Sequence, residues 1–202
     1  MKSKELNICI NNKEDIDNFY KNLRKYIIFK NNHHMNLSIS NNINDIFKED
    51  LKEVERIFNI KNKKDRVYAM YNSVCDYIDN HYTLKNVCQF KDNTCVCQRM
   101  GFERVKVNGC CGSCKYLGEN GCITKSLACK FFYCSYIKKH SHLFKPQDIK
   151  VFKYFFSPRQ KIIAKFNFFH TTEENCKLLC KDSLLAFAFT KDADVDRFKE
   201  ID

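Results

Sequence analysis

Residues 108–134 read NGCCGSCKYLGENGCITKSLACKFFYC, and the interpretation of this stretch decides what kind of fold the chain can have. Nine of the thirteen cysteines lie between positions 88 and 134: Cys88, Cys95, Cys97, Cys110, Cys111, Cys114, Cys122, Cys129 and Cys134. All five glycines fall in the same window, at Gly101, Gly109, Gly112, Gly118 and Gly121. Thiolates that converge on one ion need tight turns, often with positive φ, and glycine enters those without steric cost. Two independent anomalies of composition coincide here, which favours a folded metal knuckle over a set of buried thiols.

Cys111 and Cys114 form a C-x-x-C pair, the spacing that lets two sulfurs approach a tetrahedral ion. The adjacent Cys110 and Cys111 point in different directions, so they serve two ions or a shared cluster more readily than one ion. Cys88 and Cys95 supply the incoming ligands, while Cys129 and Cys134 close the sites from the C-terminal side. The expectation is therefore two closed zinc sites built from Cys88, Cys95, Cys110, Cys111, Cys114, Cys122, Cys129 and Cys134. Cys97 is the spare and the alternative ligand. An iron–sulfur cluster is the alternative cofactor, although the dense ferredoxin spacing C-x₂-C-x₂-C-x₃-C-P is absent. His140 and His142 lie on a basic segment and read as solvated. Cys9, Cys75, Cys176 and Cys180 are scattered through expected helices and strands, and the last two share an apolar helical face with Leu178 and Leu179, as core residues would.

The stretches Cys114-Lys115-Tyr116-Leu117, Gly121-Cys122 and Leu127-Ala128-Cys129-Lys130 are similar to the later half of the YkgJ-like cysteine-cluster proteins. That resemblance covers roughly residues 110–134, and more broadly the chain resembles uncharacterised cysteine-rich proteins of low-GC, clostridia-like bacteria. It implies zinc or iron–sulfur binding and implies no particular activity. The chain departs from the YkgJ pattern in placing its paired cysteines just before Cys114 and in lacking an Arg-Pro before Cys129.

Around this window the chain reads as helical. Its 202 residues are 44% hydrophobic and 14% aromatic, enough to build a core, and only two prolines interrupt it. The expected architecture is mainly α, a small helical bundle with an irregular cysteine-rich metal-binding module and at most a few short strands. The N-terminal helical part spans 1–87, the module 88–134, and a C-terminal helical part, 135–202, packs on the N-terminal helices. Leu6, Ile8 and Ile10 alternate as in a short strand, and Asn12 caps a helix carrying Ile16, Phe19, Tyr20, Leu23 and Ile27. The Asn-rich stretch 31–44 is a loop with a second short strand through Met35, Leu37 and Ile39. Phe47, Leu51, Val54 and Phe58 mark a second helix. After the basic linker KNKK, Asp65 is expected to cap a third, with Val67, Met70, Tyr71, Val74, Ile78 and Tyr82 on its apolar side. Ser157, Pro158 and Gln160 start one later helix and Thr171 with Glu174 another.

Net charge is +11, unevenly spread. From Lys130 to His170 nine Lys or Arg face one acid, Asp148, and twelve Phe or Tyr are interleaved with them. Lysines can track phosphates while rings stack on bases. Lys138, Lys139, Lys150, Lys153, Arg159 and Lys161 are the candidate nucleic-acid contacts, although most of the rings are expected in the core. The N-terminus lacks the apolar region of a signal peptide and no run is long enough to span a membrane, so a cytoplasmic protein without a membrane partner is expected. In a reducing compartment so many cysteines bind metal rather than form disulfides. No Walker loop, G-x-G-x-x-G, H-E-x-x-H, nucleophile elbow or radical-SAM spacing is present. Sites closed by four thiolates leave no position for water, which argues for a non-enzymatic role.

Overall fold

The computed structural model describes residues 6–30, 33–41, 43, 45–81, 117–118, 121–122, 126–132, 145–168 and 170–189. Strands β1 (Leu6–Ile10) and β2 (Met35–Ile39) run parallel, with Ile8 opposite Leu37 and Ile10 opposite Ile39. Parallel neighbours need a crossover, and helix α1 (Lys13–Lys30) supplies it. Asn12 starts that helix as expected, its side-chain oxygen accepting from Asp15 N at 2.9 Å. Ile16, Phe19 and Leu23 are buried on the inner face. Among the described residues no third strand flanks β2. The side chain of Asn59 takes that place, accepting from Leu37 N at 2.8 Å and donating through Nδ2 to Leu37 O at 2.9 Å. The alternation in β1 buries Ile10 fully and leaves Leu6 47% exposed, because a two-stranded ribbon has little face to cover.

Helices α2 (Asp45–Asn59) and α3 (Lys63–His81) follow. Leu51, Val54 and Phe58 are buried along the expected stripe of α2, joined by Ile57; the side chain of Phe47 lies outside the described residues, as does Tyr82. The start of α3 corrects the reading of Asp65 as its cap. Asn62 is the cap, accepting on Oδ1 from Lys64 N at 2.7 Å and Asp65 N at 3.3 Å. Asn is as good a capping residue as Asp and stands three positions earlier, which leaves the Asp65 carboxylate in the first turn, at the positive end of the helix. Lys63 and Lys64 of the linker are therefore already helical.

Further on, β3 (Leu117–Gly118) and β4 (Gly121–Cys122) form a short antiparallel pair. They precede α4 (Leu127–Phe131), a 3-10 turn at Pro146–Asp148, α5 (Lys150–Phe155), α6 (Pro158–Phe166) and α7 (Thr172–Lys181), with α8 over 184–189. Both expected capping boxes are closed reciprocally, Ser157 with Gln160 and Thr171 with Glu174. The described protein is thus mainly helical with a few short strands. Helix α3 sits at its centre, touching α2, α4, α5 and α7. Accordingly Val67, Met70, Tyr71, Val74, Cys75 and Ile78 are buried on more than one narrow stripe. Helix α5 also packs on α1, and α6 on α4 and α7. Among the described residues no helix is long and apolar enough to cross a membrane.

Buried cations are part of this core, Lys30 and Arg66 among them. Lys30, 7% exposed, donates to Met35 O and lies 4.8 Å from the centroid of the Phe58 ring. Burial first, then the positive charges of Arg66 and Lys61, lower its pKa to about 8. The folded protein therefore holds this proton less tightly than the unfolded chain does. The resulting penalty is full below about pH 8 and fades as pH rises toward the ordinary 10.5. Substituting Lys30→Met is expected to remove this rise in stability across that window. Urea denaturation of both proteins at about pH 7.5, 9 and 10, which span the window set by linkage, checks it, and parallel pH profiles would refute it.

Candidate metal centre

The cysteine window reaches the helical core through its C-terminal end. Cys129 lies on α4 and is 7% exposed. Cys122 lies on β4 opposite Leu117, and its side chain is outside the described residues. Cys88, Cys95, Cys97, Cys110, Cys111, Cys114 and Cys134 also lie outside them. In the short hairpin Gly118 faces Gly121, so two of the five clustered glycines sit where the chain reverses just before Cys122. Among the described residues no group of three or more His, Cys, Asp or Glu side chains is placed to hold a metal ion.

Helix α4 is five residues long, too short to persist alone in water, so its position depends on what surrounds it. Ser126, Leu127, Ala128 and Cys129 are all buried. The Tyr71 hydroxyl, projecting from the central helix, accepts from Leu127 N at 3.0 Å and thereby satisfies a first-turn amide. On the other side Ser126 Oγ donates to Asn167 O at 2.8 Å. Asn167 Nδ2 in turn donates to Asn175 Oδ1 at 2.9 Å, and Asn175 Nδ2 donates to His170 O and Thr171 O. A buried polar chain thus runs from the end of the cysteine window through the C-terminus of α6 to the first turn of α7. Outside the core, Lys130 pairs with Asp79 of α3.

The cysteines beyond the window behave differently. Cys176 is fully buried, and burial, followed by the neighbouring Cys180 and Cys75 thiols, pushes its pKa up to about 12. Burial likewise raises Cys180, which is half-buried. Such thiols stay protonated near neutral pH and are poor nucleophiles and poor ligands, in keeping with the packing role expected for this pair. Burial and then Cys75 hold the Tyr71 hydroxyl well above its ordinary range, with Cys176 and Cys129 also acting on it. Cys75 and Cys129, far apart in the chain and without shared periodicity, thus both lie close enough to act on Tyr71.

Of the candidate nucleic-acid contacts, Lys150 is half-buried on α5, Lys153 and Arg159 are exposed, and Lys138 and Lys139 lie outside the described residues. The turn between α5 and α6 folds Lys161 back so that its Nζ donates to Lys153 O. Lys153 Nζ lies 4.8 Å from the Tyr154 ring centroid. Burial, then Arg24, Lys165 and Lys153, lower the pKa of Lys161. Arg24 comes from α1, a contribution that sequence reasoning missed. The rings are less available than the cations: Phe152, Phe155 and Phe156 are buried, and half-buried Tyr154 stacks on Tyr20 at 4.3 Å. On this face the cations are thus more accessible than the rings.

Comparison of the chain with protein-family models, with curated proteins and with solved structures finds no match.

The docking of α4 can be tested without touching a cysteine. Tyr71→Phe keeps the ring but leaves Leu127 N–H without its buried acceptor, which is expected to cost about 1–3 kcal/mol. Urea unfolding of the variant reads this directly. A loss below about 0.5 kcal/mol, the range of unremarkable substitutions, would show that the bond does not anchor α4.

Proposed function

We propose that this chain is a non-enzymatic cytoplasmic metal-binding protein whose cysteine window folds around zinc and is held on the helical core by α4. The observation that carries the reading is the coincidence of nine cysteines and all five glycines between residues 88 and 134. A donor set made of thiols suits zinc in closed tetrahedral sites, with Cys88, Cys95, Cys110, Cys111, Cys114, Cys122, Cys129 and Cys134 as ligands and Cys97 in reserve. Bound zinc would supply cross-links across a long connection, and no open position for water. The docking of α4 supports this, since a ligand at Cys129 on that helix would tie the site to the core. Kinship with the YkgJ-like cysteine-cluster proteins belongs to the same proposal and rests on the residues between Cys114 and Lys130.

Protein purified anaerobically is expected to be colourless and to carry about two zinc ions per chain, with chelation unfolding the window. Elemental analysis with a visible spectrum checks this. Brown protein containing iron and sulfide would assign the same thiolates to an iron–sulfur redox or sensing centre instead. A metal-free chain whose fold ignores chelators would overturn metal binding altogether.

The module is further proposed to present nucleic acid with the basic surface that begins at Lys138 and Lys139 and continues through Lys150, Lys153, Arg159 and Lys161. Support comes from the juxtaposition of Lys153 and Lys161, reinforced by Arg24 and Lys165. In filter binding at low salt, the Lys153→Gln, Lys161→Gln double variant is expected to bind RNA or DNA more weakly and to lower the salt slope by about two. Absence of any retention by the unaltered protein at low salt would remove nucleic acid from the proposal.

A further inference from the structure

A cavity of about 140 Å³ lies where the C-terminal half of α1, the first half of α3 and the α5–α6 turn meet. Its lining is mixed in an informative way. Ile27, Val67, Met70 and Phe155 contribute apolar surface, while Arg24, Lys63 and Arg66 contribute three cations. Arg24 and Lys63 are exposed and so stand at the opening, whereas Arg66 is buried and donates to Ile60 O at 2.9 Å. Against these stands one carboxylate, Asp182, so the lining carries a net charge of 3 − 1 = +2.

That carboxylate is committed to a structural contact. Its Oδ1 accepts from Ser157 Oγ at 2.6 Å, and the residue holds a left-handed conformation, φ 49°, at the end of α7. Gln160 completes the latch: Oε1 accepts from Ser157 N, and Nε2 donates to Leu179 O, both at 2.9 Å. The wall formed by the α5–α6 turn is therefore fixed before any ligand arrives, as small-molecule sites commonly are. Next to the opening the charge is more positive still, since Lys161 lies within the field of Arg24. A cavity of this size accommodates a body of about one benzene ring. An apolar lining rewards such a body, and the exposed guanidinium and ammonium groups reward one negative charge at its end.

We infer that this cavity is a binding site for a small organic monoanion, an apolar body of ring size bearing one carboxylate that meets Arg24 and Lys63. None of the lining residues belongs to the cysteine window, and occupation of the cavity does not require metal.

Titration of the full-length protein with sodium benzoate, followed by calorimetry or by amide chemical shifts, tests the assignment. Saturable binding in the millimolar range or tighter is expected. Arg24→Gln is expected to weaken it about tenfold, with benzamide, the neutral isostere, weakened similarly against the unaltered protein. Both Arg24 and Lys63 are exposed, so Lys63→Gln serves as a second variant, and a thermal melt confirms that each remains folded. Lack of saturation, benzamide binding as well as benzoate, or inorganic phosphate binding more tightly than benzoate would each overturn the proposal.

Discussion

The hydrogen bond from Leu127 N to the Tyr71 hydroxyl joins positions 56 residues apart in a buried environment, and the seating of α4 depends on it. Closing so long a loop costs entropy that one hydrogen bond, worth roughly 1 kcal/mol net, does not repay. The burial of Leu127 and Ala128 adds apolar gain, and within it Ser126 Oγ and Asn167 Nδ2 find acceptors in Asn167 O and Asn175 Oδ1. A site cross-linking thiols between these two positions would shorten the loop that α4 has to close. Metal binding and docking of α4 would then reinforce one another.

Two populations of cysteine follow from this placement. Cys75, Cys176 and Cys180 sit on packed helices as small apolar fillers, and burial raises the pKa of Cys176 and Cys180. Those of the window occur with glycines and polar neighbours, surroundings in which thiolates can be stabilised by a cation. Cys129 stands at the boundary, on the window by sequence and against the core by position.

Positive charge shapes the remainder of the molecule. Lys30 and Arg66 are buried with backbone carbonyls as acceptors, Lys30 additionally facing the Phe58 ring. Arg24, Lys153, Lys161 and Lys165 gather from three helices on one side. Charges of one sign held this close repel, and the fold tolerates them because most remain in contact with solvent.

Local rules were legible in the chain itself. Asn12, Ser157–Gln160 and Thr171–Glu174 start helices where their spacing indicated, because a cap needs only its own first turn. The apolar stripes of α1 and α3 were equally readable, since helical periodicity is a property of consecutive residues. Asp65 was misplaced as a cap because Asn62, a competing residue of equal propensity, lies nearer the turn. By contrast, the parallel pairing of β1 with β2, the use of Asn59 as a surrogate strand, the meeting of Arg24 with Lys161 and the cavity beside Ser157 and Asp182 left no trace in any window of sequence. Composition alone determined that this protein is mainly helical and concentrates its cysteines and glycines in one segment. Tertiary structure decided that the end of that segment is buried against Tyr71, because the contact joins distant residues whose approach is set by packing around α3 and by no local propensity.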